Sequence, residues 1–142
     1  MQQDAKTEDA PLMLSAIVCE RVILDIRTGR KTIKNIIETI NVVKLPALLR
    51  GLMLYFEFTD LHRNTRILIQ VVDTQENDEV LAEIKDMVPY KHPRQVVRRE
   101  KVLPPIVLRH EGEYRIEIYA VKRPTILLGG CRVVCRKIEP YL

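Results

Sequence analysis

The sequence is poor in aromatic residues and in serine, and these shortages exclude some kinds of core and of catalyst. Only 5% of the 142 residues are aromatic, and tryptophan is absent. A buried core must therefore be built mainly from Ile, Leu and Val. Ser15 is the only serine, and it lies in an apolar run without the Gly-x-Ser-x-Gly turn that exposes a nucleophile. This argues against a serine hydrolase.

Cysteine is also scarce, and its use indicates a reducing compartment. Cys19, Cys131 and Cys135 give an odd number of thiols, and the sequence shows no secretory signal. It also lacks an apolar run of the about 18 residues that a membrane span requires. Cys131 and Cys135 would lie about 13 Å apart along one strand, which is too far for a disulfide. We therefore expect free, buried thiols in a cytoplasmic protein.

Motifs for metals, nucleotides and other cofactors are missing. The three histidines, His62, His92 and His110, are isolated, and no Cys-x-x-Cys, His-Glu-x-x-His or glycine-rich phosphate-binding motif occurs. The sequence therefore predicts no cofactor and no metal. One alternative remains open, a small-ligand pocket or hydrolase in which His62 or His110 lies beside a carboxylate such as Asp60 or Glu111.

The patterning of the chain predicts an all-β protein. Hydrophobic content of 46% and charged content of 30% are typical of a globular domain, which we assign to residues 11–142, after a flexible leader at 1–10. Residues 52–59 and 65–72 are β-branched and aromatic runs separated by a short polar break, which predicts a central hairpin. With further strand-like segments up to Ile126–Ile138, the sequence predicts an antiparallel sandwich of about eight strands with Greek-key connections.

Three features of this pattern leave alternatives. Residues 31–43 combine a helical spacing of Ile with a strand composition, and we predict a strand with a bulge. Residues 79–87 allow an edge strand or one short helix, and we favour the strand. Tyr114 begins the most regular alternation, after Gly112, and could be either a tyrosine corner bonded to nearby backbone or a simple core residue.

The charges are divided between two neighbouring segments. Residues 73–86 contain six acids and one base, whereas residues 91–101 contain five bases and one acid. The basic segment could bind nucleic acid or an anionic surface, could protect a sheet edge, or could pair with the acidic segment. A binding face would join it to bases of the last strand, and the candidate interaction residues are Arg94, Arg98, Arg99, Lys101, Arg132 and Arg136.

Three stretches of the chain also point to a known group of proteins. They are Ala10–Glu20, then Ile40-Asn41 followed by Pro46-Ala47-Leu48, and finally Gly112–Tyr119. Over about residues 10–138 the chain resembles a family of small uncharacterised bacterial proteins, classed only as a domain of unknown function. The resemblance implies a compact β-sandwich and a bacterial origin, and it brings no known activity or catalytic residues.

Together these observations favour a non-catalytic interaction or structural module. It would act through an exposed strand edge or a loop end, with a protein partner or a second copy of itself. The alternatives are the weak binder of nucleic acid or anionic surfaces and the histidine pocket described above.

Overall fold

The computed structural model describes residues 10–92, 94–122 and 124–140, and within them it contains eleven strands and no helix. This confirms the predicted all-β fold, and the leader predicted at 1–10 lies outside the described residues except for Ala10. The strands are β1 (Leu12–Leu24), β2 (Lys31–Ile36), β3 (Thr39–Val42), β4 (Ala47–Leu49), β5 (Met53–Thr59), β6 (Thr65–Asp73), β7 (Glu79–Val88), β8 (Val97–Val102), β9 (Ile106–Leu108), β10 (Gly112–Ala120) and β11 (Ile126–Lys137).

Nine of the strands form two sheets that pack face to face. Sheet A has the order β2-β1-β5-β8, and sheet B has the order β3-β11-β10-β6-β7. The links β5–β6 and β7–β8 cross from one sheet to the other, as they do in Greek-key sandwiches. The two remaining strands, β4 and β9, pair with each other, and these three-residue strands are one reason why the count exceeds the predicted eight.

Alternation along the strands places one face of each sheet in the core. On β5, Leu54, Phe56 and Phe58 point inward and are completely buried, and the two Phe rings stack with centroids 6.0 Å apart. Sheet B covers them with the alternate residues of its central strands. These residues are Ile67, Ile69, Val71, Tyr114, Ile116, Ile118 and Val133.

The predicted hairpin of residues 52–59 and 65–72 is wrong in its pairing, although both segments are strands. β5 pairs with β1 and β8, whereas β6 pairs with β10 and β7. The link 60–64 contains a fully buried Leu61 and crosses the gap of about 10 Å between packed sheets. The apolar faces of β5 and β6 therefore cover each other across the core and do not lie side by side in one sheet.

The mixed period of residues 31–43 comes from a change of sheet within the segment. β2 pairs with β1 in sheet A, and β3 pairs with β11 in sheet B. The strand prediction is therefore confirmed on both sides of Ile37 and Glu38, where the chain crosses. The β3–β11 pair is parallel, which departs from the purely antiparallel arrangement expected from the sequence.

We expect Gly130→Ala to destabilise the protein because β10 and β11 approach closely at this position. Gly130 lies opposite Glu117, and a Cβ on it would overlap the carbonyl oxygen of Ile116. The expected loss in the free energy of unfolding, measured by urea denaturation, is about 2–3 kcal/mol, because the added Cβ would meet backbone atoms that cannot move aside easily. Gly29→Ala is the control, because Gly29 has open space around it and a φ of +74°, so that substitution costs only the strain of a left-handed backbone, about 1 kcal/mol. An equal loss in both variants would contradict the close approach of β10 and β11.

Candidate functional site

The basic segment forms β8, the edge strand of sheet A, and its side chains alternate between two environments. Arg98 points outward, and its Nε donates to the Glu57 carboxylate at 2.9 Å. The Tyr55 hydroxyl also donates to this carboxylate, at 2.6 Å, and it is the largest cause that holds the pKa of Glu57 below its usual value. Arg94 is exposed in the loop before the strand.

The inward side chains of β8 meet the acidic segment of sheet B at Asp86. Lys101 Nζ lies 3.2 Å and Arg99 Nη1 lies 3.8 Å from Asp86 Oδ2. That oxygen is buried and makes no hydrogen bond within the described residues, so the attraction is mainly Coulombic. The alternative in which the two charged segments pair within the molecule is therefore confirmed at Asp86.

The structure does not bring the bases of β11 to this edge. Strands β10 and β6 separate β11 from β7, beside which β8 lies. Arg132 on β11 pairs with Glu113 across the strand boundary, with Nη1 and Oε2 3.1 Å apart, and Arg136 is exposed further along. The six candidate arginine and lysine residues thus form two groups at opposite sides of the sandwich.

The two candidate histidines also lie apart. His62 is exposed in the link before β6, and His110 contacts Asp73 at the end of β6. The nine residues of this strand separate the two sites by about 26 Å. An open groove of about 700 Å³ runs along the outer face of β6 and β7, and neither histidine lines it.

The ring of His110 has acceptors at both nitrogens. Nδ1 lies 3.0 Å from the Glu111 carbonyl oxygen, and Nε2 lies 2.7 Å from Asp73 Oδ2. A backbone carbonyl and an ionised carboxylate only accept hydrogen bonds, so the doubly protonated imidazolium would satisfy both contacts at once. The Glu111 carbonyl is the largest cause that raises the pKa of His110, and the Asp73 carboxylate adds to it against the opposing effect of burial.

His110 belongs to a tyrosine corner. The buried Tyr114 hydroxyl donates to the His110 carbonyl oxygen at 3.0 Å, and the two rings stack with centroids 5.4 Å apart. Tyr114 is thus both a core residue and a corner that holds the loop before β10. Both ring nitrogens of His110 thus have a polar partner in this arrangement.

The thiols show the properties of structural cysteines. All three are free, and Cys19 and Cys135 are buried. Burial raises the pKa of each thiol, to about 11 for Cys131, so the reactive thiolate is scarce at neutral pH. Within residues 10–92, 94–122 and 124–140, no group of three His, Cys, Asp or Glu side chains is placed to hold a metal ion.

The edge of β7 has unpaired backbone groups that were not apparent from the sequence. The Arg66 carbonyl accepts from Val121, away from β7, so the opposite residue, Met87, directs its own N–H and C=O to the free edge. By alternation, Glu83 and Lys85 do the same. The Met87 N–H donates to Asp86 Oδ1, and its carbonyl accepts from Arg99.

Among the described residues, no such cap covers Glu83 or Lys85. Neither residue has a hydrogen bond outside the strand ladder, or an ion pair, within the part of the chain that the structure describes. At the other end of β7, Arg109 Nη1 lies 4.0 Å from Glu79 Oε1. Regular pairing with β6 ends at an irregularity where Ala82 lies opposite Val71 but Val80 lies opposite Val72. The regular, uncapped part of the edge is therefore short and runs from residue 82 to residue 86.

We expect stability to fall as the pH rises above about 6.5, because His110 then loses its proton. A raised pKa in the folded state gives stability that is complete below the unfolded value of about 6.5 and is lost as the pH passes the folded value. The expected loss is about 1 kcal/mol or less, because the imidazole is 25% exposed. Urea denaturation at a series of pH values between about pH 5 and pH 9 measures this loss, because that range brackets the titration of the imidazole.

The control for this measurement is His110→Gln, whose amide keeps a donor but cannot titrate in this range. Its free energy of unfolding should depend less on pH than that of the wild type. Parallel pH profiles of the two proteins would contradict a charged His110 in the folded state.

Comparison with known proteins agrees with the resemblance noted in the sequence. A model described as "Family of unknown function (DUF6941)" matches residues 14–123, from within β1 to just beyond β10. Among curated proteins, none matches the chain. A search of the described residues finds no helix of the length and apolarity needed to cross a membrane. Because the matched segment spans most of the sandwich, the chain belongs to the DUF6941 family of unknown function.

Proposed function

We propose that this protein is a non-catalytic interaction module that binds an extended segment of a protein partner at the β7 edge. The observation that carries the proposal is the window of residues 82–86, where the N–H and C=O groups of Glu83 and Lys85 point away from the sheet without partners among the described residues. An extended peptide can add to such an edge as a further strand through main-chain hydrogen bonds.

The neighbouring charges support this choice of edge. Inward-pointing charges and side-chain caps are common means of preventing uncontrolled pairing of edge strands. In this protein Asp86 and Arg99 close the edge at Met87, and Lys101 approaches Asp86 from β8. A partner strand could therefore pair only with the uncapped residues. This restriction fixes the register of the partner strand on β7.

The same charges weigh against binding of nucleic acid by the basic segment. Arg98, Arg99 and Lys101 each have a carboxylate within 4.0 Å, which reduces the positive potential available to phosphates. The bases of β11 lie across the sandwich from them. The structure offers no observation that favours this alternative over the β7 edge.

We also propose that the module works in the bacterial cytoplasm as one domain over residues 11–142. Three free thiols, two of them buried, are compatible with a reducing compartment. The resemblance to bacterial proteins supports a bacterial origin. One buried hydrophobic cluster contains residues of both sheets, which supports a single domain.

The test uses random ten-residue peptides displayed on phage and selected on the purified protein. We expect Lys85→Pro to weaken the binding of selected peptides by about tenfold, because it removes the N–H that a partner strand would use. The fold should tolerate this change, since that N–H makes no bond to β6. Binding is measured by fluorescence anisotropy with synthetic copies of the peptides.

Two further variants serve as controls. Lys85→Ala removes the same charge but keeps the N–H, so it should bind more tightly than Lys85→Pro. Ile84→Pro removes an N–H that faces β6, so it should lower the melting temperature far more than Lys85→Pro does. Peptides that bind Lys85→Pro and wild type equally would show that the edge is not the binding site.

A further inference from the structure

We propose that the partner of the β7 edge is a second copy of the same chain, joined through antiparallel β7 strands about a two-fold axis at Ile84. This inference rests on the proposed function and names its partner. It starts from the position of the open window, whose centre is Ile84. The window is bounded by the register irregularity between Val80 and Ala82 and by the side-chain cap at Met87.

The backbone limits how two such edges can pair. Only residues that face the free edge can form hydrogen-bonded pairs, and in this window they are Glu83 and Lys85. A two-fold arrangement can therefore place Glu83 opposite Glu83, Lys85 opposite Lys85, or Glu83 opposite Lys85. The first two place like charges together, which is destabilising.

The third arrangement places opposite charges together twice. Glu83 of each copy lies opposite Lys85 of the other, and each pair exchanges two main-chain hydrogen bonds. Both side chains are exposed on the outer face of sheet B, and neither has another ion-pair partner within residues 10–92, 94–122 and 124–140. The charges of this edge are thus complementary to those of the same edge in a second copy related by the two-fold axis.

The residues between these pairs are compatible with the arrangement. In this register Ile84 lies opposite its own copy, and Ala82 lies opposite Asp86. Because Asp86 is held by Lys101 and Arg99 on the inner side, a small residue opposite it leaves those contacts in place. Two copies joined in this way make sheet B continuous through ten strands.

The interface is small, and its charge pairs are exposed. Dimerisation should therefore be weak, should depend on protein concentration, and should decrease as salt screens the charges. The full chain of 16.5 kDa is examined by sedimentation equilibrium over a series of concentrations, at low and at high salt. The expected result is a mass that approaches that of a dimer with increasing concentration, more readily at low salt.

Charge reversal tests the register. Lys85→Glu places acids in both pairs and Glu83→Lys places bases in both, so each change should raise the dimer dissociation constant about tenfold or more. A mixture of the two variants should form a heterodimer, because each pair is then complementary again. The double variant Glu83→Lys/Lys85→Glu should likewise recover the dimer, and Lys34→Glu on β2 is the control for an equal change in net charge.

The outcomes separate this inference from the proposed function. A monomeric wild type, or a Lys85→Glu variant that dimerises as well as wild type, overturns the two-fold pairing. If the monomer still binds displayed peptides in a manner sensitive to Lys85→Pro, the edge remains the binding site and only the second copy is wrong. Recovery of the dimer in the mixture, with no dimer in either variant alone, supports the pairing at Ile84.

Discussion

The structure depends on the burial of two apolar faces against each other. Neither sheet can leave its inner face in water, and the aliphatic and phenyl side chains of β5 are covered only when β6 and β10 lie across from them. Each change of sheet along the chain follows from this constraint, including the link through Leu61 and the crossing at Ile37 and Glu38. The edges of the two sheets lie where these crossings leave a strand with only one neighbour. The candidate binding surface, the free edge of β7, is one of them.

Electrostatics acts mainly at those edges. Asp86 points inward between β7 and β8, where burial of a lone carboxylate would be costly, and the cations of β8 compensate it. One carboxylate thus joins the margins of the two sheets at this side of the sandwich. The same contact uses up bases that would otherwise form a positive surface, and it fixes where the open part of β7 ends.

The sequence predicts which segments are strands much better than it predicts their neighbours. Alternation in β10 and the β-branched runs of β5 and β6 depend on local geometry, which short windows of sequence reveal. The pairing of β5 and β6 could not be predicted, because a short polar break is compatible with a hairpin or with a crossing. The contact of His110 with Asp73 joins residues 37 positions apart. The direction of the Glu83 N–H and C=O depends on how β6 pairs with its neighbours at Arg66 and Val121. That pairing cannot be predicted from the residues around Glu83 alone.

The parallel pair of β3 and β11 has a consequence for synthesis of the chain. β3 ends at Val42, and its partner residues run from Val134 to Lys137, so sheet B cannot close until the ribosome has made the chain as far as Lys137. A nascent chain that stops before β11 leaves β10 with one open side, exposed to other unfinished chains. Because such distant pairings must form late, we expect sheet B to complete its folding slowly.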